Sequence, residues 1–288
     1  MESFTQTSAD LPLLKNGKPH VSYSEVSNWQ SCPWRHKLTY IDDLSEFETS
    51  PYLDYGTIIH DAVEHFLNSG EIDLLATHDK IRKAWEENGF DTPEFVKKQT
   101  ARSAGQGWKY KHVSLDGWLE SAKNSLEQLP DFLDEQFPGW KPHVAEHKLY
   151  ESIAGDEQGL FKGFIDCVLE LPNGKHVVID WKTAGPRGWG RDKQRDFLTT
   201  AQIILYKHYW MQVTGKPSNQ VKACFVLLKR DSKPGKSVAI VEVSAGPTAM
   251  QKANKMVSGM LKGMRTGFAI KNKMSCKFCE FKNTPHCP

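Results

Sequence analysis

Two carboxylates and a lysine, separated by a short turn, form the most chemically suggestive pattern in this sequence. Asp166 ends one largely apolar segment, while Asp180 and Lys182 lie in the next, after Pro172-Asn173-Gly174. Side chains two apart in a strand share a face, so Asp180 and Lys182 point the same way. If 172–174 form a three-residue hairpin loop, Asp166 falls directly opposite Asp180. A two-residue turn would place the two carboxylates diagonally.

Carboxylates that approach each other across neighbouring strands repel, and partial burial raises the cost. A divalent cation removes this conflict, and oxygen ligands suit Mg²⁺ or Mn²⁺. Such an ion can polarise a phosphodiester and generate hydroxide from bound water. Lys182 beside it can orient the water and offset transition-state charge. We therefore predict catalytic roles for Asp166, Asp180 and Lys182. The alternative, a charged hairpin face in solvent, is disfavoured by the apolar neighbours at 177–179.

Four short motifs, taken in their order along the chain, resemble those of the PD-(D/E)xK nucleases in their RecB-like branch. They are Gly56-Thr57-Ile58-Ile59-His60, Gly163-Phe164-Ile165-Asp166, Ile179-Asp180-Trp181-Lys182 and Gln202-Ile203-Ile204-Leu205-Tyr206. Each motif is weak alone, whereas the ordered set is specific. The resemblance spans roughly residues 22–288 and is weakest at 70–140.

The resemblance implies a set of metal ligands. His60, Asp166 and Asp180 would bind one or two divalent ions, and the backbone carbonyl of Trp181 would complete the shell. A lone histidine in a helix is otherwise more often a structural or surface residue. Glu146, which precedes the Gly163 segment, is a further candidate carboxylate, although its neighbours His147 and Lys148 suggest an exposed strand end.

Further residues are candidates for contact with nucleic acid. Gln202 and Tyr206 are four apart and share a helix face, which the resemblance places beside the active site. The alternative is a packed tyrosine with an incidental glutamine. After the catalytic strand, Arg187 and Arg191 lie in a loop with glycines and Trp189. Phosphate contact and base stacking are plausible there, and an exposed flexible loop is an equally fair reading.

Six cysteines divide into two groups. Cys167 and Cys224 lie between apolar neighbours in predicted strands, so we expect ordinary buried cysteines. The remaining four are Cys32, Cys276, Cys279 and Cys287. Their placement at the two ends of the chain resembles that of iron–sulfur RecB-like nucleases, a group that includes bacterial helicase–nuclease subunits and the nucleases of CRISPR adaptation. That resemblance implies a [4Fe–4S] cluster that holds the ends together. Zinc, or reduced thiols without a metal, are the alternatives.

Hydrophobic periodicity predicts the elements that must position these residues. Residues 21–40 are expected to form a short extended entry and then a helix, and further helices are expected at about 55–69, 73–87, 113–135, 196–213 and 246–266. Strands are expected at 143–153, 158–171, 175–182, 220–230 and 237–244. This order predicts an α/β protein with a central mixed β-sheet flanked by helices, and the resemblance implies a restriction-endonuclease-like core. We expect a flexible leader at 1–20 and a single iron–sulfur nuclease domain at 21–288, with a helical insertion at about 70–140.

Composition limits the setting. The chain has 288 residues and a formal net charge of +2, yet residues 246–288 hold eight Lys or Arg against one acid, Glu280. A basic end suggests contact with a polyanion, and a solvated lysine-rich helix is the alternative. No apolar stretch approaches the ~20 residues that span a bilayer. The first residues lack the pattern of a signal peptide. We therefore expect a cytoplasmic protein, in the host cytoplasm if it is phage-encoded.

Taken together, these patterns predict a metal-dependent nuclease that hydrolyses DNA. The resemblance favours an exonuclease over an endonuclease, acting on ends or single strands in recombination, repair or phage DNA metabolism. The sequence has no phosphate-binding loop of a helicase, so a helicase, recombinase or single-strand-binding protein is an expected partner. The alternatives are an RNA nuclease, since a metal site cannot distinguish the sugars, and a non-catalytic DNA-binding or scaffold protein. The presence of Asp166, Asp180 and Lys182 argues against the last.

Overall fold

Helices precede most of the strands along the chain, as the patterning predicts. The computed structural model describes residues 13–45, 50–105, 114–153 and 156–288. Within these ranges the strands are β1 (His20–Ser22), β2 (Lys141–Val144), β3 (His147–Ile153), β4 (Asp156–Ile165), β5 (Cys167–Glu170), β6 (His176–Ala184), β7 (Val221–Lys229) and β8 (Val238–Glu242). The helices are α1 (Tyr23–Ser31), α2 (Pro33–His36), α3 (Pro51–Ser69), α4 (Leu74–Asn88), α5 (Pro93–Gly105), α6 (Leu115–Gln136), α7 (Arg191–Arg195), α8 (Phe197–Thr214) and α9 (Pro247–Thr266). A π-helical turn, Lys37–Ile41, follows α2.

The strands form two sheets that meet at one residue. The larger sheet has the order β2-β5-β6-β7-β8, in which β6 and β7 are parallel and the other neighbours antiparallel. The smaller sheet has the order β1-β4-β3. Our prediction of one continuous strand at 158–171 is wrong, because β4 ends at Ile165 in the small sheet and β5 begins at Cys167 in the large one. Asp166 is the junction between them.

The centre of the large sheet is built for burial on both faces. All residues of β6 from His176 to Trp181 are buried, as expected for a strand with helices on both sides. The parallel partner β7 requires a crossover connection, which α8 supplies. Helix α8 is apolar on all of its sides, and nine of its residues are buried. It packs between the sheet and α9, and it therefore fixes β6 from one side.

The helical insertion packs on the other side of β6. Helices α4 and α6 were expected, whereas α5 was not. Side-chain caps begin the two expected helices: Asp73 accepts from the Ala76 amide at 2.8 Å and Ser114 from the Gly117 amide at 3.1 Å. Apolar side chains of α3, α4 and α6 form one buried cluster with those of β5, β6 and β7. The insertion thus shares its core with the sheet and supports α3 against it.

The two ends of the chain are brought together by α1 and α9. Gly263 of α9 lies so close to Trp29 of α1 that a Cβ there would approach the indole to 2.7 Å. Beyond α9, the Ile270 carbonyl accepts from the Trp34 amide at 3.2 Å. Residues 1–12 of the expected leader lie outside the described residues. The described part is not free, because the Asn16 amide donates to Glu25 at 3.0 Å.

Among the described residues, no helix combines the length and the apolar character needed to cross a membrane.

Candidate active site

The hairpin between β5 and β6 has the register that brings the two carboxylates together. Cys167 pairs with Ile179 and Glu170 with His176. The Leu171 amide donates to the carbonyl of Lys175 at 2.9 Å, which closes a three-residue loop. Continued by one residue, this register sets Asp166 opposite Asp180. The three-residue loop that the sequence suggested is confirmed.

Asp166 links three elements at the junction of the sheets. Its Oδ2 accepts a hydrogen bond from the Trp181 amide of β6 at 2.8 Å. The same oxygen lies 3.6 Å from Nδ1 of His60, which α3 presents to the sheet. The carboxylate is thus held by the backbone of one strand and faces a ring nitrogen from a helix. The structure brings together the histidine and the aspartate that the sequence motifs singled out.

Asp180 is the most enclosed charge of the site, with 1% of the residue exposed. Its Oδ2 lies 2.6 Å from the ammonium of Lys182, two residues along the same strand. The two groups form a short ion pair, in which the Lys182 ammonium opposes the rise of the Asp180 pKa. Lys182 is thus the charge that compensates Asp180 in the protein alone.

The site resists negative charge. Burial raises the pKa of Asp166 to about 6, although Lys182 and the Trp181 amide oppose the rise. Burial likewise raises the pKa of Asp180 to about 6, with the Asp166 carboxylate adding to the effect and Lys182 opposing it. Burial also lowers the pKa of His60, more than the nearby Asp180 raises it. A neutral imidazole and two carboxyls that ionise reluctantly gain most from a nearby cation.

These residues fit a divalent metal ion. Two carboxylates and one neutral imidazole nitrogen are ligands that Mg²⁺ or Mn²⁺ accepts, with oxygen predominating. The Asp180 carboxylate lies against Lys182 in the protein alone, and the three groups do not bring their ligand atoms within 4.8 Å of one another. To bind an ion, the Asp180 carboxylate must therefore contact both the Lys182 ammonium and the metal.

Glu146 lies at the outer edge of the site. It is in the connection between β2 and β3 rather than on a strand, and it is exposed. Burial raises the pKa of Glu146, with further contributions from Glu64 and Asp61. Glu146 in turn adds to the rise at Asp166. Glu146 thus acts electrostatically on Asp166 from the exposed side of the site.

Tyr206 and Gln202 support the strand that carries Asp166. Tyr206 is only 6% exposed, and its hydroxyl accepts from the Gln202 amide at 3.1 Å. A Cβ at Gly163 would approach Cε1 of Tyr206 to 2.8 Å, so the absence of a side chain at Gly163 leaves room for the tyrosine ring. The two motifs are therefore in mutual contact. The Tyr206 ring therefore packs in the interior against β4, and the carboxylates of Asp180 and Asp166 both act on its pKa, so the residue lies beside the site. Contact of Gln202 and Tyr206 with nucleic acid stays a prediction. A glycine within a strand is the sequence signal for such close packing.

The loop after β6 carries exposed cations near the site. Arg187 and Arg191, which we proposed from the sequence, are both exposed. Trp189 packs against Phe225 with ring centroids 5.0 Å apart, so its ring is partly committed to the fold. Lys193 lies over the same tryptophan ring at 4.4 Å. Burial lowers the pKa of Lys193, and the Lys182 ammonium lowers it further. Lys193, which belongs to the same loop that the sequence suggested for phosphate contact, is therefore a cation that senses the charge of Lys182.

The four cysteines near the chain ends line a common cavity. Cys32 contributes from the start of α2, and the other three follow α9. The Asn272 amide lies 3.3 Å from the Cys32 sulfur as a donor. Around the cavity, Arg35 and Glu280 form an ion pair at 2.8 Å, and the indole of Trp34 donates to the His286 carbonyl at 3.1 Å. Cys167 and Cys224 are buried in strands, apart from this cavity.

A different cluster, at the far end of the hairpin, also brings possible metal ligands together. Atoms of His143, Glu170 and His176 lie within 4.8 Å of one another. The Trp210 indole, however, donates to Nδ1 of His176 at 3.0 Å. A neutral imidazole that accepts at Nδ1 carries its proton on Nε2, which leaves no lone pair there for a metal. Burial lowers the pKa of His176 to about 4, so the neutral form prevails. This cluster fits a hydrogen-bonded group better than a metal centre.

One family model matches most of this chain, and solved structures similar to it are also known. A family model described as the PD-(D/E)XK nuclease superfamily matches residues 20–287. Among solved structures, the chain is similar to a Eubacterium rectale protein described as a "Putative exonuclease", with a TM-score of 0.50 and 12% identity over 100% of this chain and 96% of that one. The structure of SSO0001 is more distant, with a TM-score of 0.32 and 14% identity over 86% and 91% of the two chains. No curated protein matches the sequence.

Proposed function

Because this chain belongs to the PD-(D/E)XK nuclease superfamily, we propose that it is a Mg²⁺- or Mn²⁺-dependent deoxyribonuclease that acts as an exonuclease on DNA ends or single strands. One observation carries the proposal: Asp166 and Asp180 face each other at a break between two sheets, with His60 and Lys182 beside them. A protein that only binds DNA has no need of one buried and one half-buried carboxylate side by side, because they repel the phosphates.

The residues divide the work of hydrolysis. His60, Asp166, Asp180 and the Trp181 carbonyl would hold the ion, which when bound polarises the phosphodiester and lowers the pKa of water. Asp166 is kept in place by the Trp181 amide. Lys182, held against Asp180, offers an ammonium to orient the attacking water and to stabilise negative charge on the phosphoryl oxygens. Lys193 adds positive charge on the same side.

The cysteine cavity supports a second part of the proposal, a [4Fe–4S] cluster held by Cys32, Cys276, Cys279 and Cys287. Four cysteine side chains around one cavity suit a cysteine-ligated [4Fe–4S] cluster, with a four-cysteine zinc site as the alternative. Burial raises the pKa of the Cys279 thiol, so this ligand gains from a metal that stabilises its thiolate.

The cluster would be structural. It would join the start of α2 to the segment after α9, which brings the basic C-terminal part of the chain next to the nuclease core. Purified protein would absorb broadly near 400 nm and contain about four iron atoms and four sulfides per chain. Stoichiometric zinc without iron would contradict this part of the proposal and leave the nuclease proposal standing.

The nuclease proposal is tested by digestion of end-labelled single- and double-stranded DNA, with a matched RNA, in Mn²⁺ or Mg²⁺. We expect the wild type to release short products from DNA ends. Asp180→Asn should be inactive, and the matched variant Asp91→Asn, an exposed acid between α4 and α5, should retain full activity. Digestion of RNA alone, or equal digestion by Asp180→Asn, would contradict it. We place this activity in the cytoplasm, in recombination, repair or phage DNA metabolism, where a helicase, recombinase or single-strand-binding protein supplies the ends.

A further inference from the structure

One face of the small sheet carries cations and aromatic rings next to the site. In β3 and β4, Lys148 pairs with Phe164 and Tyr150 pairs with Lys162. Alternation places these four side chains on one face, because the intervening Leu149, Phe161 and Gly163 are buried on the other. His20 of β1 extends the same face, since its ring lies 5.5 Å from that of Tyr150. We call Lys148, Tyr150, Lys162, Phe164 and His20 the basic aromatic face.

The charges of this face are not neutralised by acids. In the described parts of the chain, neither Lys148 nor Lys162 forms an ion pair; each lies near a ring instead, at 5.6 Å from that of Tyr150 and 5.5 Å from that of Phe164. Burial lowers the pKa of His20, and Lys162, Lys18 and Lys148 lower it further, while Glu25 opposes them. Cations therefore outnumber acids among the charges that act on this histidine.

Phe164 connects the face to the catalytic residues. It is 41% exposed, which is uncommon for a phenylalanine in a strand next to a buried core. Phe164 lies near the end of β4, two residues before Asp166, so its exposed ring is close along the chain to the carboxylates. From Phe164 to Leu160, beside His20, the strand extends about 13 Å at ~3.3 Å per residue. The basic aromatic face is therefore a short surface that starts two residues from Asp166.

Rings interleaved with cations are the chemistry of single-strand binding. Unpaired bases stack on aromatic side chains, while lysines follow the phosphates. Bases in a duplex are stacked on each other and do not offer their faces to such rings. From the position, charge and exposure of these residues, we propose that the basic aromatic face binds a single-stranded DNA segment continuous with the strand in the active site. The proposal rests on the proposed nuclease function and names the form of its substrate.

The test measures binding separately from cleavage. Fluorescence anisotropy with a labelled 20-nucleotide oligo-dT and a matched blunt duplex, in EDTA and in the Asp180→Asn background, reports affinity without digestion. Phe164→Ala should weaken single-strand binding roughly 5- to 150-fold, the range found for loss of one stacked base. Phe164→Trp should retain it. Leu75→Ala, an equally simple truncation of an exposed side chain on α4, should leave it unchanged.

The lysines give an independent readout. Removing Lys148 and Lys162 together should make the slope of log K against log salt shallower by about 1.4, at ~0.7 for each phosphate contact with a single strand. Lys123→Ala, on α6, is the matched control and should leave the slope unchanged. Thermal unfolding of each variant establishes that it is folded.

The outcomes separate this proposal from the nuclease function. If folded Phe164→Ala binds the single strand as tightly as Leu75→Ala does, the proposed binding role of the basic aromatic face is refuted, even if the wild type digests DNA. Equal weakening of single strand and duplex would also overturn it, because stacking on the ring requires unpaired bases. If the wild type digests no nucleic acid while Phe164→Ala loses single-strand binding, the nuclease proposal fails. Single-strand binding by the basic aromatic face is then still supported.

Discussion

Asp180→Asn should make the metal-free protein more stable while it removes activity. The wild-type carboxyl is 1% exposed, and its pKa is raised by burial from the ordinary 3.8 to about 6. At about 1.4 kcal/mol for each pH unit, ionised Asp180 costs the metal-free fold about 3 kcal/mol at pH 7.5. Asparagine has nearly the same shape and no charge to bury. The substitution should therefore add up to about 3 kcal/mol of stability, or roughly 5 to 10 °C in melting temperature.

The sign and the pH window of this gain follow from the raised pKa. Because the folded protein holds the proton more tightly than the unfolded chain, the cost of the charge is fully present above pH 6. It is lost as the pH falls from about 6 towards 3.8. The advantage of Asp180→Asn should thus shrink to about 1 kcal/mol at pH 4.5. The assay is thermal or urea unfolding in EDTA at both pH values. A variant less stable than the wild type at pH 7.5, or a gain independent of pH, would refute the argument that Asp180 is a buried charge awaiting a cation.

Three further predictions concern the site and its supports. Gly163→Ala should drive a methyl group into the Tyr206 ring, destabilise the fold by about 1–3 kcal/mol and lower activity. The control Gly259→Ala has open space at its Cβ and should stabilise helix α9 slightly. Equal unfolding curves for the two variants would contradict the packing of Tyr206 against Gly163. Cys279→Ala should lower soluble yield and nuclease activity together, and a normal yield with full activity would count against a structural cluster. At subsaturating metal, the rate of digestion should fall between tenfold and a hundredfold for each pH unit below about 6, because one or both carboxylates must lose a proton to bind the ion; a flat pH–rate profile from 5 to 7 would be inconsistent with their raised pKa values.

The catalytic geometry was predictable from sequence because it is local. Asp166 and Asp180 are joined by a hairpin at Pro172-Asn173-Gly174, and either of the two loop lengths that these residues allow brings the carboxylates close; the structure has the three-residue loop. His60 is distant in sequence, so its placement 3.6 Å from Asp166 depended on the resemblance rather than on periodicity. The same holds for the four cysteines, which lie at opposite ends of the chain.

The rest could not be predicted, for physical reasons. The apolar run at 158–171 gives the same signal whether it is one strand or two, so the break at Asp166 between sheets was missed. Tyr206 has a polar hydroxyl on an apolar ring, so its sequence is compatible with an exposed or a buried position. The close approach of Gly163 to the ring shows that it is buried. The basic aromatic face was also missed, because exposure of Phe164 depends on where β4 lies in the fold rather than on its sequence.

Anomalous diffraction at the manganese edge, from crystals of the wild-type protein grown with Mn²⁺, tests the central claim most directly. We predict a peak within about 2–2.5 Å of oxygen atoms of Asp166 and Asp180 and of a ring nitrogen of His60. A peak at His143, Glu170 and His176, with none between the two aspartates, would contradict the assignment of the active site.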